Sequence, residues 1–404
     1  MKTKLETGNR LLPRRSTVFA AMVIGVLSVG LQSTASASSS AVTRDQAKRI
    51  HDRLTGTPAS DAWLTANTGK DALTVAKQAI NPSDTESSGF YNVVLKNFAM
   101  PWTNRDQTVF APLNDYVATV IGMVRDDVPF NTLLSADIIY TAGGGAPAYS
   151  NTDNNSYQYL EDNNIDMRST SNLMQQKQSA VTGLPTAGVA GIITTRAAAQ
   201  AFFIAGTNRA MFRFTMMNHL CHDMEQVQDT SRPPDRIRQD VSRSPGGDSR
   251  VFLNSCIGCH SGMDPMAQAF AYYNFDSTAS KLVYTPGAVQ TKYGINSDNF
   301  KPGYVTPDDH WDNRWREGPN KVLGFSSQLP GNGSGAAKLG EELANSDAFA
   351  QCQVEKVFKA VCFRAPGNSS DRNAVSSIVA SFKSSNYSMR EVFAETAVYC
   401  MGDE

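Results

Sequence analysis

Most apolar positions in the chain recur at helical spacing. In "TRDQAKRIHDRL" (43–54), Ala47, Ile50 and Leu54 follow Thr43, a residue type suited to an N-cap. "SGFYNVVLKNFAMPW" (88–102) and "LNDYVATVIGMVRD" (113–126) read as further buried helices. A long helical signal returns in "TRAAAQAFFIAGTNRAMFRFTMMNHLCHDMEQV" (195–227), after a polar, glycine-rich loop at 141–158. Near the C-terminus, Val354, Val357, Phe358 and Val361 follow the i, i+3, i+4, i+7 rule. Val375, Ile378, Val379 and Phe382 do the same, and Ser388 with Glu391 predicts a capping box for one more helix. Strand-like alternation is sparse. The pattern predicts a mainly α protein with a helical N-terminal region (38–228), a loop-rich segment (229–335) and a C-terminal unit of three helices (336–404). The middle segment is rich in Pro, Gly, Asp and Arg, and a loop-heavy stretch of that length usually wraps around something.

The first 37 residues differ from the rest. Lys2, Lys4, Arg10, Arg14 and Arg15 face a single Glu6, an apolar run follows from Val18 to Leu31, and Ala35-Ser36-Ala37 offers a small-residue cleavage site. That order predicts a cleaved signal peptide over 1–37 and a periplasmic or secreted mature chain. No later stretch is long and apolar enough to predict a membrane span. The whole chain sums to −1, and the five basic and one acidic residues of 1–37 leave about −5 for the remainder. A mildly acidic chain gives no support to nucleic-acid binding, which favours a strongly basic face.

The distinctive chemistry sits in "NSCIGCHSGMDP" (254–265), where Cys256, Cys259 and His260 fall within five residues. Three chemistries use such a cluster. A structural zinc site needs four ligands, yet the only other close pairing is His219-Leu220-Cys221-His222. A redox dithiol normally sits at a helix start beside a βαβ pattern, which this chain lacks. Covalent haem attachment explains all three residues: two thioether-forming thiols and an adjacent imidazole for the proximal side of the iron. At this chain's composition the pentapeptide arises by chance on the order of once in a thousand chains. The reading is one covalent haem c on Cys256, Cys259 and His260, in agreement with export.

Four cysteines remain: Cys221, Cys352, Cys362 and Cys400. An even remainder in an oxidising compartment predicts two disulfides. Cys352 and Cys362 lie on one predicted helix, so their Cα atoms stand about 15 Å apart, beyond disulfide reach. If the last helices run up, down and up, Cys362 meets Cys400, which leaves Cys221 for Cys352.

"GVAGIITTRAAAQAFFIAGTNRAMFRFTMMNHLC", "CIGCHSGMDPMAQAFAYYNFD" and "ELANSDAFAQCQVEKVFKAVCFR…FAETAVYC" together resemble the domains of unknown function found in planctomycete-type cytochrome c proteins. The resemblance covers residues 110–140 and, more fully, 185–404. It rests on Cys256 to Pro265 with Asn274-Phe275-Asp276 downstream. It implies an exported haem protein in which a helical domain precedes the haem segment and a small helical domain closes the chain; it names no substrate. One departure is the last helix, which ends in Val398-Tyr399-Cys400-Met401 where the family has Ser-Asp-x-Phe.

Around the motif, Met263, Met266, Phe252, Phe270, Tyr272 and Tyr273 are expected to wall the porphyrin, and Pro265 to start or bend a helix. Arg243 and Arg250 are candidate donors to the haem propionates, or else part of a solvated loop. For the distal iron position the chain offers His310, Met389 or Met401, and more remotely His219 or His222. The expected function is one-electron transfer with another exported redox protein or an envelope component. A haem enzyme of peroxidase or oxygenase type, with an open iron position, is the alternative. A binding or sensor module is a third reading, because residues 42–228 exceed what an electron-carrying haem needs.

Overall fold

The structure is a computed structural model and describes residues 41–204, 206–294 and 301–402. The predicted signal peptide, 1–37, lies outside the described residues. The protein is mainly α, with three small antiparallel strand pairs among the described residues. Among the described residues no helix is long and apolar enough to cross a membrane.

Helices α1 (Arg44–Thr55), α2 (Asp61–Asn67) and α3 (Ala72–Ala79) open the fold. α1 forms where its pattern predicts. Ala47, Ile50 and Leu54 are buried, Thr43 and Gln46 close a capping box, and Gly56 ends the helix at φ 70°, where a side chain would be strained. Residues 88–102 are not one regular helix. A π turn at Phe90–Val94 leads into α4 (Leu95–Ala99), which tightens to a 3-10 turn at Met100–Thr103. The π turn seats Phe90 and Tyr91, neighbours in sequence, both fully inside. Pro101, lacking an N–H, cannot carry the α pattern further.

α5 (Asp115–Arg125) is the central helix, buried along its whole length. Its Arg125 donates from Nη1 to the carbonyls of Met167, Ser169 and Leu173 at 3.1, 3.1 and 2.8 Å. This anchors the stretch leading into β2 (Leu173–Gln176), which pairs with β1 (Ile139–Ala142). In sequence α6 (Asn155–Asp162) lies between the two strands and α7 (Gln178–Thr182) follows them. The long helical signal at 195–227 is broken. It gives α8 (Arg196–Phe202), α9 (Arg209–Thr215) and a π turn at Met216–Leu220. The break is fixed by Asn208, at φ 59°, whose side-chain amide donates to the carbonyls of Phe270 (2.8 Å) and Tyr273 (2.9 Å).

The loop-rich segment holds a helical rod at its centre. α10 (Ser249–Val251), a π turn at Phe252–Cys256, α11 (Ile257–Ala267) and a 3-10 turn at Gln268–Phe270 follow without interruption. Two hairpin-like pairs come next: β3 (Tyr273–Asp276) with β4 (Lys281–Tyr284), and β5 (His310–Asp312) with β6 (Asn332–Ser334). Gly262 lets this rod pack closely, since a Cβ there would stand 2.0 Å from Nε1 of the buried Trp315.

α12 (Ala336–Ala344), α13 (Asp347–Cys362), α14 (Ser369–Ser384) and α15 (Met389–Tyr399) close the chain, four helices where three were expected, because Ser346 caps a new helix directly after α12. Ser388 caps α15, but Glu391 does not complete the expected box, because its carboxylate pairs with Lys77 at 2.9 Å. The disulfides are Cys221–Cys352 and Cys362–Cys400, the pairs expected from helix length together with an up, down and up course of the last helices. Residues Ser39–Glu404 form one compact unit, with an apolar core running from Val42 to Ala397. The C-terminal helices close against α1, α3 and α5, where Phe393 meets Phe90 edge-on at 5.0 Å.

Candidate functional site

The helical rod brings Cys256, Cys259 and His260 onto one face. At about 100° per residue the three span roughly 100° of the helix circumference. All three are partly exposed, and among the described residues Cys256 and Cys259 are the cysteines not held in disulfides. The opposite side of the helix is buried. Gly258 there accepts from the Asp229 amide at 2.9 Å and Ser261 donates to the Asp229 carbonyl at 2.8 Å, while on the motif's own face Cys259 Sγ donates to the Met224 carbonyl at 3.5 Å.

His260 is oriented from the next turn. Its Nδ1 lies 3.1 Å from Oδ1 of Asp264, four residues on and therefore on the adjacent strip of the helix. Asp264 is fully buried. Burial by itself raises its pKa, but the guanidinium of Arg209 and then that of Arg238 more than offset this and hold the carboxyl well below its ordinary value. An ionised carboxylate only accepts hydrogen bonds, so the proton of a neutral His260 sits on Nδ1 and the lone pair on Nε2. Nε2 carries no hydrogen bond to any described residue. The imidazole is thus a fixed tautomer with a free donor atom, as a metal-binding histidine requires.

Sequence reasoning passed over the residues that build this arrangement. Arg209, at the start of α9, donates Nε and Nη2 to the two oxygens of Asp264 at 2.6 and 2.7 Å and also pairs with Asp240. Arg238, completely buried, donates its backbone N–H to Asp264 Oδ2 and its guanidinium to the carbonyls of Thr207 and Asp264. The Asp264 signal was present as the i, i+4 spacing from His260. Nothing in the sequence ties Arg209 or Arg238 to it.

The other expected contributors are placed elsewhere, and several expectations are corrected. Phe252 does flank the motif, in a small cluster with Ile237 and Val241 against Cys256 and Ile257. Phe270 and Tyr273 instead pack on Phe203, at 5.6 and 5.4 Å, because the rod has turned past the motif by then. Tyr272 faces Tyr284 at 6.3 Å, Met266 is fully buried, and Met263, on the motif's own face, is nearly so. Arg243 spends its guanidinium on the carbonyls of Val241 and Ile237 and on the Phe252 ring, while the exposed Arg250 pairs with Asp248. Pro265 lies inside α11 rather than at its start.

Of the distal candidates, His310 begins β5, which touches α11, but its Nε2 faces Asp312 at 3.7 Å. Met389 is buried in α15, which packs on α1, α3, α5, α13 and α14, whereas α11 packs on α9, β5 and the turns around them. The Met401 carbonyl accepts from Arg49 of α1. Neither methionine is brought to His260. His219 is buried, with Nε2 2.8 Å from the Tyr116 hydroxyl and its ring edge-on to Trp102. His222 turns its Nδ1 to the Leu220 carbonyl.

These placements bear on the competing chemistries. The second pairing that a zinc site would need is dispersed, since Cys221 is bonded to Cys352 and His219 is sealed in the core. Among the described residues no group of three or more His, Cys, Asp or Glu side chains is arranged to hold a metal ion. A reactive dithiol needs a depressed thiol pKa, often supplied by a helix N-terminus. Here the rod already runs from Ser249, and burial, aided by Glu225, pushes the Cys259 thiol up. The donor set that remains is two unpaired thiols and one imidazole Nε2 on a single accessible helix face, which fits covalent haem. No family model, curated protein or solved structure matches the chain.

Proposed function

We propose that this protein is an exported monohaem c-type cytochrome that carries single electrons. The observation that supports this best is the shared face of Cys256, Cys259 and His260, with both thiols free and the imidazole Nε2 left available by Asp264. Cys256 and Cys259 would hold the haem through thioether bonds, and His260 would donate Nε2 to the iron. When bound, the haem supplies a one-electron couple between ferric and ferrous iron. The chain's own part is to fix the imidazole through Asp264 and to shelter one side of the attachment helix with Gln228, Asp229 and Trp315. The partner would be another exported redox protein or an envelope component.

The test is expression with a c-type cytochrome maturation system, then denaturing electrophoresis with haem stain. The expected result is colour migrating with the chain, lost when Cys256→Ser and Cys259→Ser are combined. A colourless parent band with the mass of unmodified polypeptide would overturn the proposal. Optical spectra of the oxidised and reduced protein then separate carrier from enzyme: a carrier is expected to give a low-spin spectrum indifferent to carbon monoxide. That requires a side chain such as His310, on the β5 strand beside α11, to turn to the iron when the haem binds. A high-spin spectrum with ready carbon monoxide binding would favour the enzyme or sensor reading.

A further inference from the structure

We infer that Asp264 is a positioning residue for the iron ligand His260, and that Arg209 and Arg238 hold it in place. The inference rests on the haem reading and extends it from the attachment residues to the groups that set the ligand's behaviour.

The geometry is specific. Asp264 Oδ1 accepts both from His260 Nδ1, at 3.1 Å, and from Arg209 Nε, at 2.6 Å, while Oδ2 accepts from Arg209 Nη2 and the Arg238 amide. With both oxygens engaged, the carboxylate cannot rotate away from the histidine without breaking a bidentate arginine pair. Arg209 is itself fixed on its far side by Asp240, and Arg238 lies over the Tyr293 ring at 4.8 Å. Two arginines and two aspartates balance the charge, so the unit tolerates burial. Asp264 itself is wholly enclosed, while the imidazole at one end is one-fifth exposed and Arg209 and Asp240 at the other are partly so. A carboxylate on the outer nitrogen makes an imidazole a more basic ligand and favours the more highly charged metal. The chain is therefore built to stabilise ferric over ferrous iron.

The test uses haem-loaded protein, with haem content measured first in every sample. Asp264→Asn is expected to shift the ferric–ferrous equilibrium toward ferrous iron by about tenfold, which is about 59 mV upward for a one-electron couple. Asp240→Asn removes a carboxylate from the same arginine without touching the histidine, and is expected to move the equilibrium less than threefold. In unmodified ferrous protein labelled with 15N-histidine, the His260 Nδ1–H is expected to resist exchange with solvent. That measurement decides the matter even if Asp264→Asn does not fold. A chain without haem overturns the attachment reading and this inference with it. A haem-bearing chain whose Nδ1–H exchanges freely, or whose two variants shift alike, overturns this inference alone.

Discussion

The disulfide between Cys221 and Cys352 encloses the whole loop-rich segment, so its removal tests how that segment is held. Its cysteines are 131 residues apart in sequence, whereas Cys362 and Cys400 are separated by 38. A crosslink stabilises chiefly by denying the unfolded chain its freedom, and the entropy removed grows with the logarithm of the loop. At 25 °C the longer loop gives about 5 kcal/mol and the shorter about 4 kcal/mol. Against a typical total of about 5–15 kcal/mol, either loss is large. The assay is guanidinium unfolding of the double variants C221A/C352A and C362A/C400A, followed by circular dichroism and extrapolated to water. C221A/C352A should lose more by about 1 kcal/mol, the part set by loop length alone. Because the effect acts on the unfolded state, the far-ultraviolet spectrum of the native variant should match that of the parent. A loss below about 2 kcal/mol for C221A/C352A, or a reversed order, would refute the reasoning.

His219 gives a pH dependence of definite sign. Burial, and then the nearby Lys356, depress its pKa well below the ordinary imidazole value, so the unfolded chain takes up a proton that the folded chain refuses. Stability from this residue is complete above about pH 6.5 and falls by up to about 1.4 kcal/mol per unit below it. Unfolding free energies from pH 7 to 5 should show a shallower slope in His219→Gln, and equal slopes would reject the account. Gly262→Ala drives a methyl into the indole of Trp315, and overpacking of that kind costs about 1–3 kcal/mol. Tryptophan fluorescence and thermal unfolding should both change, and an unchanged midpoint would mean that the contact yields at no cost.

What the sequence determined by itself is what short-range chemistry controls. Ile50 and Leu54, or Val354, Val357, Phe358 and Val361, reveal their buried face because residues three and four apart share one side of a helix and partition together from water. The Cys256, Cys259 and His260 cluster is legible for the same reason, its chemistry lying within a single helical turn. The disulfide pairing was accessible because helix rise rules out Cys352 with Cys362 and an up, down and up course of the last helices brings Cys362 to Cys400. The break between α8 and α9 was not legible, since Asn208 is satisfied by carbonyls of Phe270 and Tyr273, more than sixty residues away. Which distant apolar groups meet was not legible either, because core residues bury one another without regard to sequence distance. Above all, only the tertiary structure set Arg209 and Arg238 on Asp264. No local rule encodes a pairing across 55 or 26 residues, because it depends on the path of every loop between them. A buried carboxylate has to find a partner wherever the fold supplies one, and here that partner settles which nitrogen of His260 is left free.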